Sequence, residues 1–167
     1  MRILIRFSSI LTIILASTMV LFTALSATAG DQVPFKSTAA LMSVPAQNNA
    51  GCPVEATRMN VTGLGIASHL GTISVSEYVC LNPDLTFLAY FTITAANGDQ
   101  LTGSAVGYGV PTSQTTFTIH GQWIFTGGTG RFQGATGSGV ATGDVNLVTG
   151  ASPHQLTGTI STVGSSK

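Results

Sequence analysis

The chain has 167 residues, in which six Lys and Arg residues stand against six Asp and Glu residues. Charged residues this sparse exclude the basic surface with which proteins bind nucleic acid, so neither DNA nor RNA is an expected partner. The length fits one domain, and a domain of this size can bury a core without a structural metal.

Residues 1–29 are predicted to be a secretory signal peptide. Arg2 and Arg6 precede an uncharged apolar run over residues 7–25, which leads to Ala27-Thr28-Ala29. A basic start, an apolar run and an Ala-x-Ala site are typical of signal peptidase substrates. We therefore expect cleavage after Ala29, a secreted or periplasmic protein, and no membrane segment after cleavage. An uncleaved membrane anchor is the alternative, because a run of this length just spans a bilayer.

Residues 30–52 are predicted to be a flexible lead-in. They contain Pro34, Pro45 and the polar stretch 46–51, and they show neither strand alternation nor a helical period. The folded domain is therefore predicted over residues 53–167. From Gly30 onward the chain carries ten charged residues in 138, with a net charge of −2.

The rest of the chain is a series of runs rich in Thr, Val, Ile and aromatic residues, separated by Gly, Asn, Asp or Pro, which is typical of strands and turns. Seven strands are predicted, over residues 54–62, 70–80, 86–94, 101–109, 117–125, 140–148 and 156–163. An eighth strand is expected if residues 131–135 or part of the lead-in pair. Seven to eight antiparallel strands close into a barrel or split into a sandwich. We predict an all-β fold, a closed antiparallel barrel, with the sandwich as the alternative.

Alternation along the strands identifies the predicted inner face of the barrel. Large apolar residues share one side of two strands: Phe87, Ala89, Phe91 and Ile93, then Phe117, Ile119, Trp123 and Phe125. Small residues alternate in two others: Gly103, Ala105, Gly107 and Gly109, then Gly139, Ala141 and Gly143. Such small residues suit a narrow barrel interior. Asn97-Gly98 predicts a tight hairpin between the third and fourth of the seven strands.

Cys52 and Cys80 are the two cysteines of the chain and are predicted to form a disulfide, because the destination is oxidising. If the first hairpin is centred near Ile66, these two residues face each other across it. Two free thiols are the alternative. A metal site is not expected, since two cysteines without a neighbouring histidine pair do not complete a ligand set, and no other cofactor is expected.

Glu77 is the most informative polar residue of the predicted strands. By alternation it shares a side with Val75 and Val79, and a carboxyl group that faces a core has a raised pKa. The preferred interpretation is nevertheless a carboxylate at a strand end that reaches water or pairs with Arg58 or Arg131, because structural ion pairs also perturb pKa values. The histidines are the other candidate proton carriers: His69, His120 and His154. Of these, His120 is expected on the outside.

Glu77, Tyr90, Trp123 and Arg131 form the predicted ligand-binding set. The tyrosines lie opposite the main apolar stripes, where they ring an opening or are ordinary surface residues. The sequence contains neither the G-x-S-x-G nor the H-E-x-x-H motif of hydrolases, so no catalytic residue is assigned.

A glycine-rich segment over residues 126–137 is the densest motif. Its spacing differs from that of a dinucleotide-binding loop and no helix pattern follows it, so a turn between strands is predicted, with Arg131 and Phe132 closing one end of the barrel. Gly127-Gly128-Thr129-Gly130, with Phe132, Ala135 and Gly137, resembles the G-G-T-G-x-F-x-x-A-x-G signature of dirigent proteins and allene oxide cyclases. Residues 68–71 and 96–101 are also similar to small exported bacterial proteins with that barrel.

The resemblance extends over residues 54–163. It implies an eight-stranded barrel with a central cavity, often assembled as a homo-oligomer, and an activity that guides cyclisation or coupling of reactive small molecules by polar side chains inside the barrel. Three functions are therefore expected as alternatives: binding of a small apolar molecule without catalysis, an isomerase or cyclase reaction, and a structural or surface role. The first is preferred, because an eight-stranded barrel has room for one such ligand.

Overall fold

The computed structural model describes residues 31–161, which form a closed barrel of eight antiparallel strands. The strands are β1 Gln32–Pro45, β2 Thr57–Ala67, β3 Gly71–Leu81, β4 Thr86–Ala95, β5 Gln100–Pro111, β6 Thr116–Gly128, β7 Gly137–Asn146 and β8 His154–Ser161. The predicted all-β barrel is confirmed. The predicted signal peptide lies outside the described residues. Among residues 31–161 there is no helix of the length and hydropathy needed to cross a bilayer.

Strand β1 closes the barrel, and it lies in the segment predicted to be a flexible lead-in. That prediction was wrong for residues 32–45, which pair with β2 on one side and with β8 on the other. Pro34 and Pro45 lie near the strand ends, where a missing N–H removes little pairing. The inward positions of β1 include Ser37, Ala39 and Ser43, so the apolar alternation was weak. Residues 131–135 are not a strand, because Gly130–Phe132 forms a 3₁₀ turn.

The hairpin of β2 and β3 has a different register from the predicted one. Its turn lies at residues 68–70, and Cys80 pairs with Arg58. Cys52 lies in the loop before β2 and still forms the predicted disulfide with Cys80, with 5.4 Å between the Cα atoms. A disulfide of this kind fits a protein exported to an oxidising compartment.

The predicted turn at Gly63 and Gly65 is instead part of β2. Both glycines face β1, and a side chain at either position would collide with it: an added Cβ would lie 2.9 Å from Leu41 Cδ2 or 2.8 Å from Ala39 Cβ. The glycines therefore permit close approach of two strands and do not mark a turn.

The two ends of the barrel carry different connections. We call the end with loops 46–56, 82–85, 112–115 and 147–153 the upper end, and the end with loops 68–70, 96–99 and 129–136 the lower end. The loop at 96–99 is the predicted hairpin, although Gly98 alone has a positive φ there, so it is not the I′ turn that Asn-Gly suggested.

Aromatic side chains fill the lower half of the barrel. Phe35 makes edge contacts with Trp123 and Phe125, at 5.6 and 5.1 Å between ring centroids, and Trp123 Nε1 donates a hydrogen bond to the carbonyl of Val140 at 3.0 Å. Phe132 closes the lower end, as predicted, and is buried. This half is a packed apolar core.

The inward glycines make this aromatic packing possible. An added Cβ at Gly139 would lie 2.6 Å from Trp123 Cζ2, and one at Gly158 would lie 2.8 Å from the same atom. The predicted inward orientation of the small residues is thereby confirmed, and their role is to leave room for rings from neighbouring strands.

Candidate functional site

Two cavities lie in the middle and upper part of the barrel, with volumes of about 40 and 50 Å³. Glu77, Phe87, Ile119 and His154 line both of them. The remaining lining is apolar except for Ser37 in the first cavity and Ser152 in the second. Three of the polar side chains that meet these cavities, Glu77, His154 and Ser152, are close neighbours and form the candidate site.

Glu77 points into the barrel, as its alternation with Val75 and Val79 predicted. Its side chain is 10% exposed, and neither Arg58 nor Arg131 pairs with it. The preferred interpretation, a solvated or Arg-paired carboxylate, was therefore wrong. Burial raises the pKa of Glu77 from its ordinary 4.5 to about 7, because the apolar surroundings disfavour the ionised form. At neutral pH the carboxyl group is close to the midpoint of its titration.

His154 is the first residue of β8 and faces Glu77 across the barrel. Its Nδ1 atom lies 3.9 Å from Glu77 Oε2, and its side chain is 14% exposed. Burial lowers the pKa of His154 to about 4, because the imidazolium form loses its hydration. Between about pH 4 and 7 both groups are therefore mainly neutral, and the contact is not an ion pair.

Gly143 of β7 makes room for the imidazole ring. An added Cβ at this position would lie 2.7 Å from His154 Cδ2. Gly143 pairs with His154 in the β7–β8 ladder, and it is one of the small inward residues that the alternation identified. A small residue here allows the ring to lie against the barrel wall.

Ser152 completes the cluster from the loop that joins β7 to β8. Its hydroxyl oxygen lies 3.0 Å from Nε2 of His154, and the residue is 1% exposed. A neutral imidazole with a proton on Nδ1 accepts a hydrogen bond at Nε2, so Ser152 is the donor in this tautomer. The histidine thus has the carboxyl group on one side and the hydroxyl group on the other.

The sequence of the loop explains how Ser152 reaches this position. The side chain of Asn146 accepts hydrogen bonds from the N–H groups of Val148 and Thr149, each at 2.9 Å, which starts a turn. Gly150 has a φ of 75°, which glycine adopts without strain. The loop then pairs with β1, since Ser152 N–H donates to the carbonyl of Leu41 at 2.8 Å.

The second cavity reaches the surface at the upper end of the barrel. Leu147, in the same loop, lines this cavity and is 56% exposed. Met59 lines the same cavity near the start of β2 and is half-buried. A small molecule can therefore enter from the upper end, whereas the lower end is closed by packed rings.

The other predicted ligand-binding residues do not join Glu77. Tyr90 lies on the outer wall, 42% exposed and stacked on Tyr78, because it alternates with inward residues of β4. Trp123 is part of the packed lower half. Arg131 lies at the lower end, where it pairs with Asp99 at 3.5 Å. Of the four predicted residues, Glu77 alone lines the two cavities.

The histidines also separate. His120 is exposed on the outer wall, as predicted, and His69 lies in the lower turn, where Nε2 is 2.9 Å from the carbonyl oxygen of Pro34. His154 alternates with Leu156 and Ile160, which face the interior, so alternation along β8 indicates its inward orientation. For Ser152 no pattern in the sequence indicates burial, because it lies in a loop.

Comparison with known proteins finds no match to a family model, a curated protein or a solved structure. Within residues 31–161 no group of three His, Cys, Asp or Glu side chains is placed to hold a metal ion. The resemblance to dirigent proteins and allene oxide cyclases stays a prediction, and the chemistry of the site is argued from its geometry.

Proposed function

We propose that this protein is exported and binds a small, uncharged, largely apolar molecule in the upper half of its barrel. One observation carries the proposal: two apolar cavities converge on a buried Glu77–His154 pair, and the second cavity reaches the surface beside Leu147. Ligand sites in proteins combine apolar walls with a few convergent polar groups in this way. The Cys52–Cys80 disulfide supports the proposed export.

The volumes restrict the ligand to a small size. A water molecule needs roughly 10–15 Å³ of cavity volume, so cavities of about 40 and 50 Å³ suit a ligand with only a few non-hydrogen atoms in each. The polar pair favours an uncharged ligand with one or two oxygen atoms, because a protonated Glu77 donates a hydrogen bond to an oxygen acceptor and a neutral ligand keeps no charge in the apolar cavity. Short-chain alcohols, ketones and esters have this composition.

A titration with 1-butanol tests the proposal. Methyl-resolved NMR spectra would be recorded at slightly acidic pH, with butyrate as the charged analogue. We expect saturable shifts at Val79 and Leu81, which line the second cavity, and none at Ile160 in the lower half. Butyrate should give much smaller shifts, because its carboxylate would lose hydration in an apolar cavity.

The outer wall provides the control for nonspecific binding. Val106 and Val140 are exposed valines on the outer face of β5 and β7, and neither lines the two cavities. Equal, non-saturating shifts at these valines and at Val79 would contradict an internal site. Unchanged spectra throughout the titration would contradict it as well.

A second candidate function is an isomerase or cyclase reaction that uses Glu77 as the acid and base. It is favoured by the pKa of Glu77, about 7, since a proton carrier is most effective when its pKa is near the working pH. The catalysed exchange of the α-protons of butanone for deuterium in D₂O would test this activity. Glu77→Gln should abolish the exchange, and Ser43→Ala should retain it. Exchange at the rate of the buffer alone would contradict the candidate.

A further inference from the structure

Three side chains lie in a row at the wall of the second cavity. Ser152 Oγ is 3.0 Å from His154 Nε2, and His154 Nδ1 is 3.9 Å from Glu77 Oε2. This is the order in which a nucleophilic hydroxyl, a general base and an acidic group follow one another in serine hydrolases. The arrangement arises on a small barrel, from a loop and two strands that are not adjacent in the sheet.

We propose that Ser152 is a nucleophile that accepts the acyl group of small, uncharged carboxylic esters. His154 is the general base in this proposal, and Glu77 is a positioning residue that acts through the imidazole. The inference rests on the proposed binding in the upper half and names the class of molecule bound there.

The reaction needs only the ester and water. Ser152 Oγ bonds to the ester carbonyl carbon while its proton passes to His154 Nε2, and the bond to the alkoxy oxygen breaks as that oxygen takes the proton from Nε2. The alcohol leaves and Ser152 carries the acyl group. Water then attacks the same carbon, again losing its proton to Nε2, and the carboxylic acid leaves as Ser152 regains its hydrogen.

The surroundings of the three residues agree with these roles. Ser152 lines the second cavity, whose other walls are apolar except for Glu77 and His154, so an ester carbonyl can lie against the hydroxyl group. The backbone of Ser152 is fixed by its hydrogen bond to Leu41. Burial lowers the pKa of His154 to about 4, so at neutral pH the imidazole is neutral and Nε2 has a free electron pair. An ionised Glu77 beside Nδ1 favours the imidazolium that forms when Nε2 accepts the proton.

The size of the acyl group follows from the cavity. An acetyl group has few atoms and fits a space of about 50 Å³, whereas the leaving alcohol can extend past the exposed Leu147 to the solvent. Esters of acetate with a larger alcohol are therefore better substrates than esters of long acids.

The test uses p-nitrophenyl acetate with the full processed protein at neutral pH. We expect one acetyl group on Ser152, located by peptide mapping with mass spectrometry, and nitrophenolate release about 100-fold faster than with Ser152→Ala, the usual size of a general-base contribution. His154→Gln should lose the activity to the same extent. Ser43→Ala is the matched control, because Ser43 is also a buried serine that faces inward on β1.

Glu77→Gln tests the positioning role. The amide retains a hydrogen-bond donor toward the cavity, so butanol binding and KM should change by only a small factor, whereas kcat for the ester should fall by a much larger one. A decrease in both the affinity for butanol and the free energy of unfolding would instead show a structural role for this residue.

Mapping of the wild-type protein decides the proposal even if a variant fails to fold. An unmodified Ser152 in protein quenched with acid during turnover, or acetyl groups confined to surface Lys and Tyr residues, would overturn it. If butanol still shifts the methyl groups of Val79 and Leu81 in that case, the esterase inference fails while the proposed binding stands. If neither reaction nor binding is observed, both fail.

Discussion

The two halves of this barrel are built from the same eight strands and differ in what fills them. In the lower half, rings from β1 and β6 pack against one another over inward glycines of β7 and β8. In the middle and upper half, Phe87 and Phe117 lie apart from this ring cluster, and with aliphatic side chains and the Glu77–His154–Ser152 cluster they line two cavities. Stability is therefore expected to come mainly from the lower half, and binding from the upper half.

The comparison shows how side-chain volume divides a uniform sheet into a core and a site. A closed barrel of eight strands has an interior that side chains can just fill. In the lower half the rings contact one another above inward glycines and fill the space. Phe87 and Phe117 also lie against inward glycines, Gly107 and Gly109. Within residues 31–161, however, no other ring packs against these two. Space remains beside them, and the polar groups that lie there are buried without filling it.

The largest expected loss of stability comes from truncating a ring of the lower half, and a matched pair of substitutions on β6 tests it. Phe125 and Phe117 are both inward and almost fully buried, but Phe125 contacts three other rings and Phe117 lines the second cavity. Phe125→Ala should lower the free energy of unfolding by about 3–5 kcal/mol. Phe117→Ala should lower it less, by at least about 1.5 kcal/mol, since each of the three aromatic pairs of Phe125 adds about 0.5–1.5 kcal/mol. Denaturant titration measures both, and equal losses would contradict the division.

Removal of the disulfide is expected to have the next largest effect. Cys52 and Cys80 are 28 residues apart, and the bond ties loop 46–56 to the upper end of β3. The variant with both cysteines changed to Ser should lose about 3–4 kcal/mol of unfolding free energy by the chain-entropy argument. Hydrogen exchange should become faster first in loop 46–56. Faster exchange at the lower end, with loop 46–56 unchanged, would be the opposite of this prediction.

Glu77→Gln should make the protein more stable at neutral pH. In the folded protein the pKa is about 7, against 4.5 ordinarily, so the folded state resists ionisation. Wild-type stability is therefore lost as the pH rises from about 4.5 to 7, by up to roughly 3 kcal/mol at 1.36 kcal/mol per pH unit, and the loss persists above pH 7.

The difference between wild type and Glu77→Gln isolates this effect. The lowered pKa of His154 makes the folded protein less stable as the pH falls from 6.5 to about 4. This contribution is common to both proteins. Thermal unfolding across this range should show the variant gaining on the wild type as the pH rises. A gap that is the same at all pH values would mean that Glu77 ionises freely in the folded state.

The smallest of these effects tests the glycines of the lower half. Gly139→Ala places a methyl group against Trp123 and should cost about 1–3 kcal/mol by overpacking. Ser138→Ala, an outward neighbour on the same strand, is the control and should change stability by less than about 0.5 kcal/mol. Similar values for the two variants would show that the ring does not need the space above Gly139.

The sequence was most informative where large apolar residues alternate with threonine, as in β4 and β6, whose inner faces were predicted correctly. The inward orientation of Glu77 followed from the same alternation. Strand β1 was missed because serine and alanine occupy inward positions such as Ser37 and Ala39, which reduces the contrast between its two faces.

The failure to predict strand β1 also explains why the candidate site was only partly predicted. Glu77 on β3 and His154 on β8 are separated in the sheet by β2 and β1, so their contact depends on closure through β1. Ser152 depends on the same strand, since its loop pairs with β1 at Leu41. Alternation assigns a residue to a face, but it does not specify which residues of distant strands meet across the interior.

A crystal structure of the protein under xenon pressure tests the division of the barrel most directly, because xenon enters apolar cavities and not packed cores. We predict xenon in the cavities beside Glu77 and Phe117 and none among Phe35, Trp123 and Phe125. Xenon among the rings of the lower half, or an interior without any xenon, would contradict the account.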